Sequence, residues 1–75
     1  MRILVANVNT TQSMTDSIAA QARSIAAPGT EIAGLTPRFG ADSSEGNFES
    51  YLAAIAVMDR VATYPEPFDA VIQAG

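Results

Sequence analysis

The chain opens on an unbroken apolar run, Ile3-Leu4-Val5-Ala6, and passes at once into polar residues from Asn7 to Ser13. A continuous run, rather than an alternating one, predicts a strand buried on both faces, as in a parallel sheet. We place this strand at Arg2 to Ala6. The spacing then changes to that of a helix: Met14, Ile18, Ala22 and Ile25 recur on one stripe, widened by Ala19 and Ala26. This predicts a helix from Ser13 to Ala27, with Ser13 as N-cap, Asp16 in a capping-box-like position and Pro28-Gly29 as the stop. A second strand is expected over Thr30 to Leu35, although Gly34 weakens it. After a loop from Thr36 to Ser44, a second helix starts near Gly46 or Asn47 and runs to about Thr63. Its apolar stripe is Phe48, Tyr51, Leu52, Ile55, Met58 or Asp59, and Ala62, and Pro65-Glu66-Pro67 breaks it. The third strand is Asp69 to Ala74. The order βαβαβ predicts a parallel α/β sheet with right-handed crossovers, one half of a doubly wound domain.

Composition narrows the chemistry. The 75 residues contain no Cys, and no His, Lys or Trp; the cations are Arg2, Arg23, Arg38 and Arg60, and the formal net charge is −4. Without Lys there is no Schiff base and no phosphate-loop lysine. Without His or Cys there is no Ser-His-Asp or Cys-His nucleophile and no ordinary zinc site. The acidic balance argues against nucleic acid and anionic membranes as partners, and no apolar run is long enough to span a bilayer. The N-terminus lacks a signal-peptide pattern, so a cytoplasmic location is expected.

In parallel α/β sheets, ligands bind outside the C-terminal ends of the strands. That points to the turn after the first strand, where Asn9-Thr10-Thr11-Gln12-Ser13 can offer hydroxyl and N–H donors to a carboxylate or phosphate. The same residue types also serve as plain turn and cap chemistry. Asp42, Glu45 and Glu49 invite a metal reading, but carboxylates at a helix start are favoured by the dipole alone, and no metal is expected. Arg38 is either exposed or a partner for an acidic substrate; Asp59 and Arg60 are expected in solvent. The glycines form no dinucleotide fingerprint.

Four stretches, taken together, resemble the Asp/Glu/hydantoin racemase family. They are Ile3 to Thr11 followed by Ser13-Met14-Thr15; Ala26-Ala27-Pro28-Gly29-Thr30; Pro37-x-x-Gly40-x-x-Ser43-x-Glu45-Gly46; and Phe68-Asp69-Ala70-Val71-Ile72-Gln73-Ala74-Gly75. The resemblance implies a flavodoxin-like half-domain of the Asp/Glu racemase fold, of which residues 1–75 are an N-terminal fragment. It implies an isomerase, without cofactor, that abstracts a proton next to a carbonyl of a hydantoin or amino acid by means of two thiols on opposite faces of the carbon. Asn9, Thr10 and Thr11 then hold the substrate's carboxylate or ring carbonyl.

Two residues depart from the pattern. Val8 replaces the usual proline of the first turn. Gly75 stands where the first catalytic cysteine belongs, so no catalytic residue is assigned within this chain and Gly75 is placed beside the substrate. Either the register is one residue off, or this thiol is absent, as in the related one-cysteine arylmalonate-type decarboxylases. The alternatives are therefore a decarboxylase or lyase of the same superfamily, a flavodoxin-like module whose Thr11-x-Ser13-x-Thr15 turn cradles a flavin phosphate, and an inactive fragment. The expected partner is a small molecule. The open sheet edge invites self-association, and a homo-oligomer is expected.

Overall fold

A computed structural model describes residues 1–40 and 47–74. The elements follow in the order β1 (Arg2–Asn7), α1 (Gln12–Ile25), β2 (Glu31–Leu35), α2 (Asn47–Ala62) and β3 (Ala70–Ala74). All three strands are parallel in one sheet of order β2-β1-β3. β1 is central, and the apolar run that predicted double burial delivers it: Leu4, Val5 and Ala6 are all buried although neighbours point to opposite faces. The two crossovers run in opposite directions, the first from the central β1 out to β2 and the second from β2 back across β1 to β3. Right-handed connections therefore put α1 and α2 on opposite faces of the sheet, which is the doubly wound arrangement.

α1 packs on the face that carries Val5, Asn7 and Gly34. Its stripe is rotated from the one predicted. Thr15 and Ala19 are its buried residues, whereas Met14 is half exposed and Ile25 is exposed. Gly34 supplies the reason. A Cβ there would lie 2.9 Å from Thr15 Cγ2 and 3.2 Å from Ala19 Cβ, so helix and strand meet through small groups. The residue that weakened the β2 prediction is the one that lets α1 seat closely.

The helix also begins differently. Thr11, not Ser13, is the N-cap residue, and its side chain makes no cap bond. Asp16 forms no capping box; it accepts from Gln12 Nε2 at 2.9 Å. The stop is as expected: Ala27 O accepts from Thr30 N at 3.0 Å across Pro28 and Gly29, with Gly29 at φ 87. Proline then glycine in the middle of the turn is the type II pattern.

α2 reverses its prediction. The residues it buries are Ala53, Ala56 and Val57, while Phe48, Tyr51, Ile55 and Met58 point outward at 75, 72, 58 and 69 % exposure. The helix has two apolar sides. The small-residue side approaches the sheet, and the large-residue side faces away from it. Both faces of β3 are likewise thinly covered, with Val71 on one and Ile72 on the other exposed.

The end of the sheet away from the strand C-termini is clasped by Arg2. Its Nε and Nη2 donate to Glu31 Oε2 at 3.1 and 2.8 Å, and its Nη1 to Pro67 O at 3.0 Å. Its backbone N–H donates to Asp69 Oδ2, while Asp69 N–H returns a bond to Arg2 O, both at 2.8 Å. The hydrogen bond to Glu31 raises the guanidinium pKa above its ordinary value. Arg2→Met is expected to cause a small loss confined to the start of β3, read as faster amide hydrogen exchange at Val71 with Leu4 still protected. Equal exchange at both sites in variant and wild type would show that the clasp is idle.

Candidate active site

The C-terminal end of β1 leads into a tight polar knot. Asn7, the last residue of β1, is 2 % exposed; Asn9 is 6 % and Thr15 2 % exposed. Buried amides at a strand end need partners, and here they satisfy one another. Asn9 N–H donates to Asn7 Oδ1 at 3.1 Å. Asn7 Nδ2 reaches Asn9 Oδ1 at 3.0 Å, Thr11 O at 3.2 Å and Thr15 Oγ1 at 3.0 Å. Thr11 N–H donates to Asn9 Oδ1 at 3.1 Å.

The knot extends outward through hydroxyls. Thr36 Oγ1 lies 2.7 Å from Thr15 Oγ1 and 2.8 Å from Gln12 Oε1. Its single hydrogen goes to the amide oxygen, which can only accept, so it takes the hydrogen of Thr15. The chain of donors then runs one way, from Asn7 through Thr15, Thr36 and Gln12 to the carboxylate of Asp16. Bonds aligned in this way polarise one another.

Beside the knot lies a cleft of about 620 Å³ at the C-terminal ends of β1 and β3. Asn7, Val8 and Asn9 form its floor, Met14 and Ile18 of α1 one wall, and Ser50, Ala53 and Ala54 of α2 the other. Gln73 and Ala74 close the β3 side. No charged side chain lines it among the described residues. The polar groups it offers are amides and a hydroxyl on otherwise apolar walls, as small-molecule sites commonly do.

The predicted site residues separate here. Asn9 lines the cleft. Thr10 and Thr11 stand outside its lining: Thr11 gives its carbonyl to the start of α1, accepting from Met14 N at 3.1 Å and Thr15 N at 3.3 Å. The Thr10 methyl faces the second loop, 3.9 Å from where a Cβ on Gly40 would stand. Gly75 lies outside the described residues, as do Asp42 and Glu45 and the side chain of Glu49. Among the described residues no acidic cluster is placed to hold a metal. Arg38 is committed elsewhere, pairing with Asp59 at 2.9 Å and donating to Thr63 Oγ1 at 2.6 Å. Arg60 Nε donates to Thr36 O at 3.0 Å. Asp59 and Arg60, expected in solvent, thus tether the second loop to α2.

Sequence reasoning passed over Asn7 and Gln73 as site residues, and named Thr15 only in the phosphate-cradling alternative. An amide closing an apolar strand was the available signal for Asn7, but at that position it reads as a turn residue.

A parallel α/β unit of this topology is one half of a doubly wound domain, with its cleft at the strand C-termini, where such folds bind ligands. The chain belongs to the Asp/Glu/hydantoin racemase family, whose model matches residues 3–75. It is 37 % identical over 74 residues to a hydantoin racemase of Paenarthrobacter aurescens, covering 96 % of this chain and 31 % of that protein. It superposes on the crystal structure of an allantoin racemase from Pseudomonas fluorescens with a TM-score of 0.99 and 77 % identity, covering 100 % of this chain and 32 % of that one. An allantoin racemase from Klebsiella pneumoniae gives a TM-score of 0.87 at 44 % identity, over 96 % of this chain and 30 % of that one. The chain thus spans about a third of the length of these relatives. No helix among the described residues is long and apolar enough to cross a membrane.

Proposed function

We propose that the protein carrying these residues is a cofactor-independent racemase of hydantoin-ring ureides, and that residues 1–75 are the N-terminal part of its α/β domain. The observation that carries this reading is the amide-bearing cleft at the strand C-termini, which no charged side chain lines among the described residues. Neutral donors suit a neutral ring of alternating carbonyl and N–H groups better than an amino-acid zwitterion, which calls for charged partners. The 77 % identity to an allantoin racemase points the same way.

In a hydantoin ring the stereocentre lies next to a carbonyl. A base removes its proton, the C–H electron pair moves into the carbonyl as an enolate, and a second group returns a proton on the other face. These 75 residues contain no Cys, His or Lys. The two acid–base groups, thiols by the family resemblance, therefore come from chain outside these residues. What this part supplies is binding. Asn9 donates to the carbonyl oxygen, most strongly when charge develops there; on the same reading Thr10 and Thr11, outside the cleft lining, flank the substrate from the turn beside Asn9, and Gly75 stands next to it. The proposed setting is the cytoplasm and the proposed state a homo-oligomer.

The test is solvent-deuterium exchange by the full-length protein. Incorporation at the ring stereocentre of allantoin or a 5-substituted hydantoin, above the uncatalysed rate, is the expected result; no exchange with either ring overturns the reading. In the same assay, Thr10→Val with Thr11→Val is expected to lower kcat/KM about tenfold. An unchanged value removes both threonines from the substrate's surroundings.

A further inference from the structure

Asn9 is useful to an acceptor oxygen only if its carboxamide turns the right way round, and a buried amide can be placed in either of two orientations. Backbone N–H groups decide between them here. The Asn9 N–H can only donate, so the Asn7 atom it meets at 3.1 Å is the oxygen, which turns Asn7 Nδ2 toward Asn9, Thr11 and Thr15. Asn9 then meets two donors on one side, Asn7 Nδ2 at 3.0 Å and Thr11 N–H at 3.1 Å, and must present its oxygen to both. Its Nδ2 is left on the other side, 3.4 Å from the Met14 sulfur on the cleft wall. A thioether is a weak acceptor that a carbonyl oxygen readily displaces.

We propose that Asn7 is the positioning residue of this site: it locks the Asn9 carboxamide in the orientation that turns an N–H donor into the cleft, which makes the site specific for an acceptor oxygen. Asn7 is itself held by Thr15, whose hydroxyl passes its hydrogen to Thr36. The strand end, the first helix and the second loop therefore share the setting of one amide. The inference rests on the role proposed above for Asn9.

A double-mutant cycle in the full-length protein separates the two claims. Asn9→Ala is expected to lower kcat/KM about 100-fold. Asn7→Ala is expected to lower it about tenfold in the wild-type background and less than about twofold in Asn9→Ala, because a residue acting through Asn9 has nothing left to act on. If Asn9→Ala retains wild-type kcat/KM, the binding role of Asn9 falls. If Asn9→Ala is impaired but the effect of Asn7→Ala persists undiminished on top of it, Asn7 is structural only and the positioning role falls. Thermal unfolding of each variant shows that the comparison is between folded proteins. Should Asn7→Ala fail to fold, Thr15→Val keeps the shape of Thr15 while removing one anchor of Asn7. It is expected to cost about fivefold in the wild-type background and nothing in Asn9→Ala; an equal loss in both, or none in either, overturns the proposal.

Discussion

Gly34→Val is expected to lower the stability of the full-length protein by about 3 kcal/mol, read from the midpoint of urea unfolding at unchanged slope. The added Cβ alone would meet Thr15 Cγ2 at 2.9 Å, Ala19 Cβ at 3.2 Å and Thr15 O at 3.7 Å. A flexible side chain would swing aside, but Thr15 is not free to do so. It is β-branched, and its hydroxyl is engaged by Asn7 at 3.0 Å and Thr36 at 2.7 Å. Relief therefore requires either α1 to back away from the sheet or the polar knot to break, and valine brings two methyl groups beyond the first clash. Gly34→Ala, with the first clash only, is expected to cost about 1 kcal/mol. A valine variant within about 0.5 kcal/mol of wild type would show that α1 slides without resistance.

The largest effect on turnover is expected from Asn9→Asp, a fall in kcat/KM of about 1,000-fold with little change in unfolding temperature. Aspartate has the shape of asparagine, and one of its oxygens still accepts from Asn7 Nδ2 and Thr11 N–H. The change falls on the other atom, where a donor becomes an anionic acceptor facing the substrate's carbonyl and, later, its enolate. Repulsion at the developing charge adds to the lost hydrogen bond. The variant carries its own control. As pH falls and the new carboxyl takes a proton, it regains an O–H donor, so activity relative to wild type at the same pH should recover in part. Wild-type kcat/KM in Asn9→Asp would remove Asn9 from the reaction, and a loss that no pH relieves would point to a damaged loop instead.

The strand and helix order was legible because each element has one strong local signature: the unbroken run at Ile3 to Ala6, the Pro28-Gly29 turn, and the Pro65-Glu66-Pro67 break. Orientation was harder to read. Periodicity finds an apolar stripe on α2 but does not say what it faces. The large stripe through Phe48, Tyr51, Ile55 and Met58 outranks Ala53, Ala56 and Val57 on any hydrophobic scale, yet alanine lets a helix come closer to a sheet. Capping was misplaced for a related reason. Ser13 and Asp16 have the right spacing for a cap, but Asn7 and Asn9, arriving from the strand, already satisfy the N–H groups of the turn. Asn9 was found from its place after the first strand. Asn7 was not, because its role depends on three partners that only the fold assembles.

The central position of β1 also sets an order of assembly. Arg2 joins Glu31 across 29 residues but Asp69 across 67. Closing the longer loop costs about 0.7 kcal/mol more in chain entropy, before any difference in contact area is counted. The pairing of β1 with β2, with α1 folded over both, is therefore expected to form ahead of the pairing with β3. The polar knot belongs wholly to this early unit, whereas Gln73 and Ala74 arrive with the last strand. In that order of assembly the Asn9 amide is set in place before the α2 wall and the β3 side of the cleft arrive, and both dock against a floor already built.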